Sequence, residues 1–144
     1  MRKGFTLLEL IVVIIILGIL ATLGMQQYFR VVEKSRSAEA KQVLGQLRES
    51  AAARYTESND ISTMVSADFG IGATTNLIPS ACRSSNYFSY AAVGTAASTF
   101  LGTATRCVGA NGKQPGYSVA ATVTLTSNLG VAALDTWAYH PAYL

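Results

Sequence analysis

The chain has 144 residues, a length that suits one modest domain and does not suit two. Half of the residues are apolar, and a formal net charge of +3 makes no strong case for nucleic-acid binding. The eight acidic residues are scattered without paired spacing, which argues against catalysis by two carboxylates.

The first predicted element is a membrane-spanning helix over residues 5–25. These 21 residues make about 31 Å of helix, close to the ~30 Å hydrocarbon thickness of a bilayer. Glu9 is the one charge in this segment, and a carboxylate inside a membrane helix is a functional hypothesis by default. The alternative is a cleaved secretory signal peptide with its cleavage site at residues 18–21. The charge and the continuing helical pattern favour a retained helix, and Arg2 and Lys3 keep its N-terminus cytoplasmic.

The N-terminus resembles the type III signal of type IV pilins and pseudopilins, over the run Arg2-Lys3-Gly4-Phe5-Thr6-Leu7-Leu8-Glu9. The resemblance covers about residues 1–55 and is specific over residues 1–21. It implies that a prepilin peptidase removes residues 1–4 by cleavage between Gly4 and Phe5 and then methylates Phe5. Loss of the two leader cations would lower the formal charge from +3 to +1.

The same resemblance implies that the Glu9 carboxylate meets the N-terminal amine of a neighbouring subunit during assembly. An unpaired charge in an apolar core is very costly, so such a contact would set the height of each entering subunit. The alternative role is local, because Glu9 lies in the first turn after the cut and complements the dipole of its own helix.

Small side chains on the same segment predict close packing between helices. Gly18, Ala21, Thr22 and Gly24 would let neighbouring helices approach. The alternative is the ordinary composition of a membrane helix. Gln26 stands where pilins commonly carry proline, so the helix need not kink there.

The helical pattern continues through residues 26–57 as an amphipathic segment, which predicts one helix over residues 5–57. An apolar stripe has spacings of three and four residues; it comprises Ala40, Val43, Leu44, Leu47 and Ala51. We expect this stripe to lie on a sheet of the same chain. The charges Glu33, Lys34, Arg36, Arg48 and Glu49 are predicted to be solvated, with intersubunit ion pairs as the alternative.

A long loop is predicted over residues 58–86, with a short helical turn near 62–68. Cys82 lies within this loop and Cys107 lies outside the cytoplasm with it, so the two thiols are expected to form a disulfide. Two free thiols are the alternative, and the spacing supports neither a redox motif nor a zinc site.

From residue 87 the pattern changes to that of strands, and residues 87–144 are expected to form an antiparallel sheet of about four strands. Strands are predicted over residues 87–93, 104–108 and 117–126, with one more short strand within 131–139. Turns are predicted at residues 109–112, which contain Asn-Gly, and at 127–130. The expected fold is α+β: a long N-terminal helix packed on this sheet, with residues 58–144 as a globular head.

No catalytic or cofactor site is expected from the sequence. His140 lies four residues from the end, and its combination with Asp135 and a nucleophile is weaker than an ordinary surface role. Asp135 also resembles part of a calcium site of some pseudopilins, but no other acidic residue is near it in sequence. We therefore predict a protein that is not an enzyme and that holds no metal or cofactor.

The sequence predicts a structural subunit of a type IV pilus, and specifically a major pilin. A type II secretion pseudopilin is the close alternative, followed by a minor or competence pilin and then by a membrane-anchored binding protein. The expected partners are identical subunits, the prepilin peptidase, an inner-membrane assembly platform and the membrane, without direct nucleic-acid binding. The precursor is expected in the bacterial inner membrane and the assembled form in a surface filament that serves adhesion, motility, DNA uptake or secretion.

Overall fold

The computed structural model describes residues 4–74, 77–109, 112–113, 119–131 and 134–143. Its main element is helix α1, Leu7–Ser58, which is 52 residues long. Thr6 caps the N-terminus of α1, and Asn59 ends the helix in the left-handed conformation with φ 53°. The predicted single long helix is therefore confirmed, with bounds within two residues of those expected.

The described residues of the head form six strands in two sheets. Strands β1 (Ile71–Gly72) and β2 (Ile78–Pro79) form a short parallel pair, preceded by a 3-10 turn at Ser66–Phe69. The main sheet is antiparallel in the order β3-β4-β5-β6. Its strands are β3 (Phe88–Ala96), β4 (Thr99–Arg106), β5 (Thr122–Asn128) and β6 (Leu134–Tyr139). The predicted helix packed on a four-stranded antiparallel sheet is confirmed.

The apolar stripe in the C-terminal half of α1 packs on this sheet and forms the core of the head. Ala40, Leu44, Leu47 and Ala51 are buried, and Val43 packs against them at the margin. The sheet contributes mainly aromatic and aliphatic side chains, namely Phe88, Tyr90, Ala92, Phe100, Ala104, Val123 and Leu125. Burial raises the pKa of the Tyr90 hydroxyl, which keeps it neutral in the core. The period of the stripe thus identified the buried face of the helix correctly.

The strand bounds differ from the expected ones where the sequence lacks a turn signal. A tight turn at residues 97–98 joins β3 to β4, so that β4 begins at Thr99 and not at residue 104. Ala97-Ser98 lacks the glycine or asparagine that marks a two-residue hairpin turn in a sequence, which is why this hairpin was missed. The predicted alternation is confirmed within β5, where Val123 and Leu125 are buried while Thr124 is only partly covered. The predicted start at residue 117 is wrong, because the strand begins at Thr122 and Val119, expected on the buried face, is exposed. The predicted residues 110–111, 117–118 and 132–133 lie outside the described residues.

The segment after α1 returns across the far end of the sheet and touches Gly94 of β3. The backbone amide of Gly94 donates to the carbonyl of Met64 at 3.0 Å, and Ile61 donates to Ala97 at 2.9 Å. A Cβ atom on Gly94 would lie 1.7 Å from the carbonyl oxygen of Ile61. Only glycine fits at this crossing, because a backbone carbonyl is not able to move aside as a flexible side chain would.

We expect Gly94→Ala to lower the free energy of unfolding by about 1–3 kcal/mol, since the added methyl group has no space. Gly45→Ala is the matched control: Gly45 is helical and has nothing within 4 Å of an added Cβ. That control should stabilise the protein by about 0.5–1 kcal/mol. Thermal unfolding of the detergent-solubilised protein, followed by circular dichroism, checks both values, and equal melting temperatures for the two variants would contradict the crossing.

Candidate functional site

The N-terminal half of α1 has no contact with the head and is exposed along its whole length. Residues 4–31 are exposed, and the large apolar side chains among them include Phe5 at 82 % and Leu7 at 75 %. Length and composition allow this part of the helix to cross a membrane, and none of its most apolar window is buried within the chain. An apolar surface of this size is not stable in water, so it requires either lipid or another protein surface.

The carboxylate of Glu9 closes the N-terminus of this exposed helix. Its Oε2 atom accepts from the hydroxyl of Thr6 at 3.2 Å and from the backbone amide of Thr6 at 3.4 Å. The Thr6 hydroxyl in turn accepts from the backbone amide of Glu9 at 3.3 Å. This reciprocal pair is a capping box, and it satisfies two of the donors that a helix start leaves free. The local role considered for Glu9 is thus present in the single subunit.

The predicted packing residues lie on the exposed segment. Gly18, Ala21 and Thr22 share one face by their helical spacing, whereas Gly24 neighbours only Ala21 at the margin of that face. Added Cβ atoms at Gly18 and Gly24 would meet nothing within 4 Å. The Thr22 hydroxyl donates to the carbonyl of Ile19 at 2.7 Å, so that its polar atom is already satisfied within the helix. This surface is available for contact with another helix.

A buried ion pair anchors the helix at the point where it reaches the head. Arg106, the last residue of β4, is 1 % exposed and contacts Glu33 of α1 through two parallel bonds. Its Nε donates to Glu33 Oε2 at 3.1 Å and its Nη2 donates to Oε1 at 3.2 Å. Its Nη1 donates to the carbonyls of Tyr87 and Cys107, both at 3.1 Å. This bidentate geometry compensates both charges for the loss of water.

The solvated role predicted for Glu33 is therefore wrong, because Glu33 is 7 % exposed and its partner lies within the same chain. Arg36 adds a second contact to the Glu33 carboxylate from the next turn of the helix. Arg48 is also engaged, since its Nε lies 3.3 Å from Asp135 Oδ1 and 3.3 Å from Ser127 Oγ. The intersubunit alternative does not apply to Glu33, since it pairs within its own chain.

The sequence did contain a signal for Glu33. The buried positions of α1 are 33, 37, 40, 44, 47 and 51, a regular alternation of four and three residues. Glu33 and Ser37 thus continue the apolar stripe in phase, two turns before it becomes apolar. Arg106 has no comparable signal, except that it is a lone charge at the end of a strand rich in Thr and Ala.

The predicted disulfide joins Cys82 to Cys107 beside this anchor. Cys107 follows Arg106 directly and is fully buried, and its backbone amide donates to the carbonyl of Tyr87 at 2.8 Å. The bridge closes a sequence separation of 25 residues and stabilises the fold by roughly 3 kcal/mol in the chain-entropy model. It therefore holds the segment that follows β2 against the strand that carries the buried arginine. The predicted loop over residues 58–86 is thus interrupted by the 3-10 turn and by β1 and β2.

The remaining chemical candidates lie at the two ends of β6. Asp135 contacts Arg48, and His140 follows the last residue of the strand, with its backbone amide donating to the carbonyl of Thr122 at 2.9 Å. Among the residues that the structure describes, no group of three or more His, Cys, Asp or Glu side chains is placed to hold a metal ion.

We expect Glu33→Ala to destabilise the head by about 3–5 kcal/mol, because it leaves the buried guanidinium of Arg106 without a counter-charge. Glu49→Ala is the matched control, since Glu49 is an exposed carboxylate on the same helix, and its effect should stay within about 0.5 kcal/mol. Thermal unfolding in detergent at neutral pH measures both, with the disulfide intact. Equal stability of the two variants would show that the ion pair does not anchor the helix.

Comparison with known proteins finds similarity to an N-terminal motif and to a fimbrial protein. The family model described as the prokaryotic N-terminal methylation motif matches residues 1–25. The fimbrial protein EcpC of Eikenella corrodens is 37% identical over 75 residues, which cover 52% of this chain and 48% of that protein. The chain thus matches about half the length of this curated relative, and no solved structure matches it. The methylation motif over residues 1–25 and the similarity to a fimbrial protein over about half of the chain support the resemblance to type IV pilins and pseudopilins.

Proposed function

We propose that this protein is the structural subunit of a type IV pilus, a major pilin that polymerises through the N-terminal half of α1. The observation that carries the proposal is the complete exposure of residues 4–31, an apolar helix that the head of its own chain leaves uncovered. The methylation motif lies on this same segment. The fimbrial relative supports a filament in preference to a lone membrane anchor.

Polymerisation would exchange one water-free environment of the helix for another. Lipid covers the helix before assembly, and the helices of identical subunits cover it in the filament. Burial of apolar surface stabilises by roughly 25 cal/mol per Å², and this stabilisation is kept throughout because the helix never enters water. A head-to-tail contact repeated along an axis that does not close produces an open fibre, which is the symmetry of a pilus.

Processing would create the charge that assembly requires. Gly4 is exposed with open space around it, and Phe5 is exposed next to it, so that a peptidase has access to the bond between them. Cleavage leaves an ammonium group on Phe5, which the same enzyme would methylate. Thr6 follows at once and caps the helix, so the new terminus would be short and held close to Glu9.

The capping box leaves Glu9 able to meet a second subunit. Both contacts with Thr6 that the structure gives use the Oε2 atom, and Oε1 has the lone pairs to accept from an ammonium group of another subunit. In the apolar filament core that contact would fix the register of each entering copy. The small side chains of Gly18, Ala21, Thr22 and Gly24 would then allow the helices to pack closely.

The head would lie outside the cytoplasm. The disulfide between Cys82 and Cys107 is typical of an oxidising compartment and stabilises a head that is exposed on a surface filament. The proposed path is therefore an inner-membrane precursor, then assembly at an inner-membrane platform, then the cell surface. Electron microscopy of sheared surface filaments with mass identification of the subunit tests this path, because a pseudopilin would not form long external fibres.

Gly4→Leu should leave an uncut precursor, because the peptidase must accommodate the residue before the cut. The mass of the membrane-bound protein measures this directly, because a cleaved chain begins at Phe5 and an uncut precursor still carries residues 1–4. Normal processing of Gly4→Leu would contradict the proposed cleavage site.

Glu9→Gln separates the two roles of the carboxylate. The Gln side-chain carbonyl still accepts from Thr6, so the cap is kept while the charge is lost. We expect normal cleavage and membrane insertion, with filament yield reduced at least about tenfold, because an ammonium group in the core is then unpaired.

Thr6→Ala is the matched control for Glu9→Gln, since it removes the capping hydroxyl and keeps the carboxylate. It should assemble within about twofold of the unmodified protein, as the loss of an N-cap costs only ~1 kcal/mol. A wild-type yield from Glu9→Gln, or an equal loss in both variants, would reject intersubunit pairing.

A further inference from the structure

The charged side chains of the protein divide into two groups along the axis of α1. Apart from Glu9 and Arg83, every acidic or basic residue that follows the leader belongs to one of them. At the base of the head, near the membrane-proximal end of the sheet, lie Arg30, Glu33, Lys34, Arg36, Glu39, Lys41, Arg106 and Lys113. At the top lie Arg48, Glu49, Arg54, Glu57, Asp60, Asp68 and Asp135. The base is therefore strongly cationic and the top is anionic.

The order of the strands produces this division. Strand β4 runs from Thr99 at the top to Arg106 at the base, and the antiparallel β6 starts near the top, where Asp135 meets Arg48. The helix runs upward from the base. Between Arg36 and Glu57 it rises by about 31 Å, so the cations near Tyr87 and the carboxylates near the end of α1 lie well beyond the ~10 Å range of screened interactions at 0.1 M salt.

The cations at the base form an aromatic-backed face around Tyr87. The guanidinium of Arg36 lies 4.4 Å from the centre of the Tyr87 ring, and the ammonium of Lys113 lies 4.7 Å from it. Lys41 is placed in the same way over Tyr139, at 4.5 Å. Lys113 is exposed, and the structure gives it no carboxylate partner within the described part of the chain. This cationic face is thus held in a fixed position by the rings beneath it.

The top of the head contains an open groove with the opposite charge. Glu57, Asp60 and Asp68 line it together with Arg54 and Met64. The side chain of Glu57 is 73% exposed and its distance to Arg54 is 3.7 Å, so it is only weakly paired. The backbone amide of Ser62 donates to Asp60 at 2.7 Å, which lowers the pKa of that carboxyl group and keeps it ionised. Three carboxylates against one guanidinium leave the groove anionic.

We propose that the acidic groove at the top of one subunit receives the cationic face around Lys113 of a second copy of this chain. The inference rests on the proposed function, because it concerns the contact between heads in a filament. The two surfaces are different, so the contact is heterologous, and its repetition along the axis continues the chain of subunits without closing it. The occupant is identified by charge complementarity between the two ends of the same head.

The division of charge also opposes the wrong arrangements. A two-fold contact at the top would bring carboxylates against carboxylates, and one at the base would bring cations against cations. Like charges that face each other at an interface disfavour it strongly, whereas the top-to-base contact pairs opposite charges. The head therefore favours subunits that point in one direction, as the exposed helix also requires.

Charge reversal in the full-length protein tests this contact. Glu57→Lys and Lys113→Glu are each expected to lower the yield of sheared filaments about three- to tenfold at low salt, because each places like charges across the interface. The double variant exchanges the two charges, and we expect it to recover filament yield to within about twofold of the unmodified protein. A normal disulfide and normal cleavage in each variant show that the heads fold.

Glu49→Lys is the matched control, because it makes the same change of charge on the same helix at a residue that does not line the groove. It should lower the yield by less than about twofold, as an isolated surface charge contributes little. An equal loss in Glu49→Lys and Glu57→Lys, or no recovery in the double variant, would overturn the proposed contact.

The salt dependence gives a second measurement. Raising the salt toward ~1 M, where the screening length is only ~3 Å, should weaken the contact between neighbouring heads. Filaments of the unmodified protein should then become more flexible. Long filaments with unaltered yield in both single variants would overturn this contact and leave the pilin function intact. Absence of any filament from the unmodified protein would instead reject the proposed function itself.

Discussion

The apolar surface of residues 5–31 must be kept out of water, and this constraint determines how the helix and the head are used. At roughly 25 cal/mol for each Å² of apolar area, a helix with exposed Leu, Ile and Val on every side is unstable in solution. The head does not cover it, since the stripe that packs on the sheet begins only at residue 33. The helix therefore depends on lipid or on another protein surface to cover it.

At the point where the exposed part of α1 meets the head, the first buried contact is polar and not apolar. Glu33 and Arg106 pair in the buried first turn of the interface, next to the disulfide at Cys107. A buried ion pair adds little net stability, because desolvation of both charges offsets their attraction, but the loss of either partner is costly. Such a pair favours one register of the helix against the sheet. A shift of the helix along the sheet would leave a buried charge unpaired. Its position at the foot of the head sets where the free part of the helix begins.

Apolar burial and charge pairing would then play different roles in assembly. The exposed helix would supply most of the stabilising area, which is not directional by itself. Charges would supply direction: the carboxylate of Glu9 near the start of the helix, and the separation of acidic top from cationic base in the head. Charge pairs across an interface contribute more to specificity than to affinity, which suits a fibre that must add identical subunits in one orientation.

The sequence by itself determined the features that depend on local periodicity. The run of apolar residues up to Met25 and the stripe from Ala40 to Ala51 indicated one helix with two different halves, and the alternation in β5 indicated a half-buried strand. Features that depend on distant residues were decided by the tertiary structure. Glu33 reads as a solvated charge until Arg106, 73 residues away, is brought against it by the order of the strands. The turn at residues 97–98 and the grouping of charges at two ends of the head were hidden for the same reason, because neither short-range turn preference nor helical spacing records which chain segments meet in space.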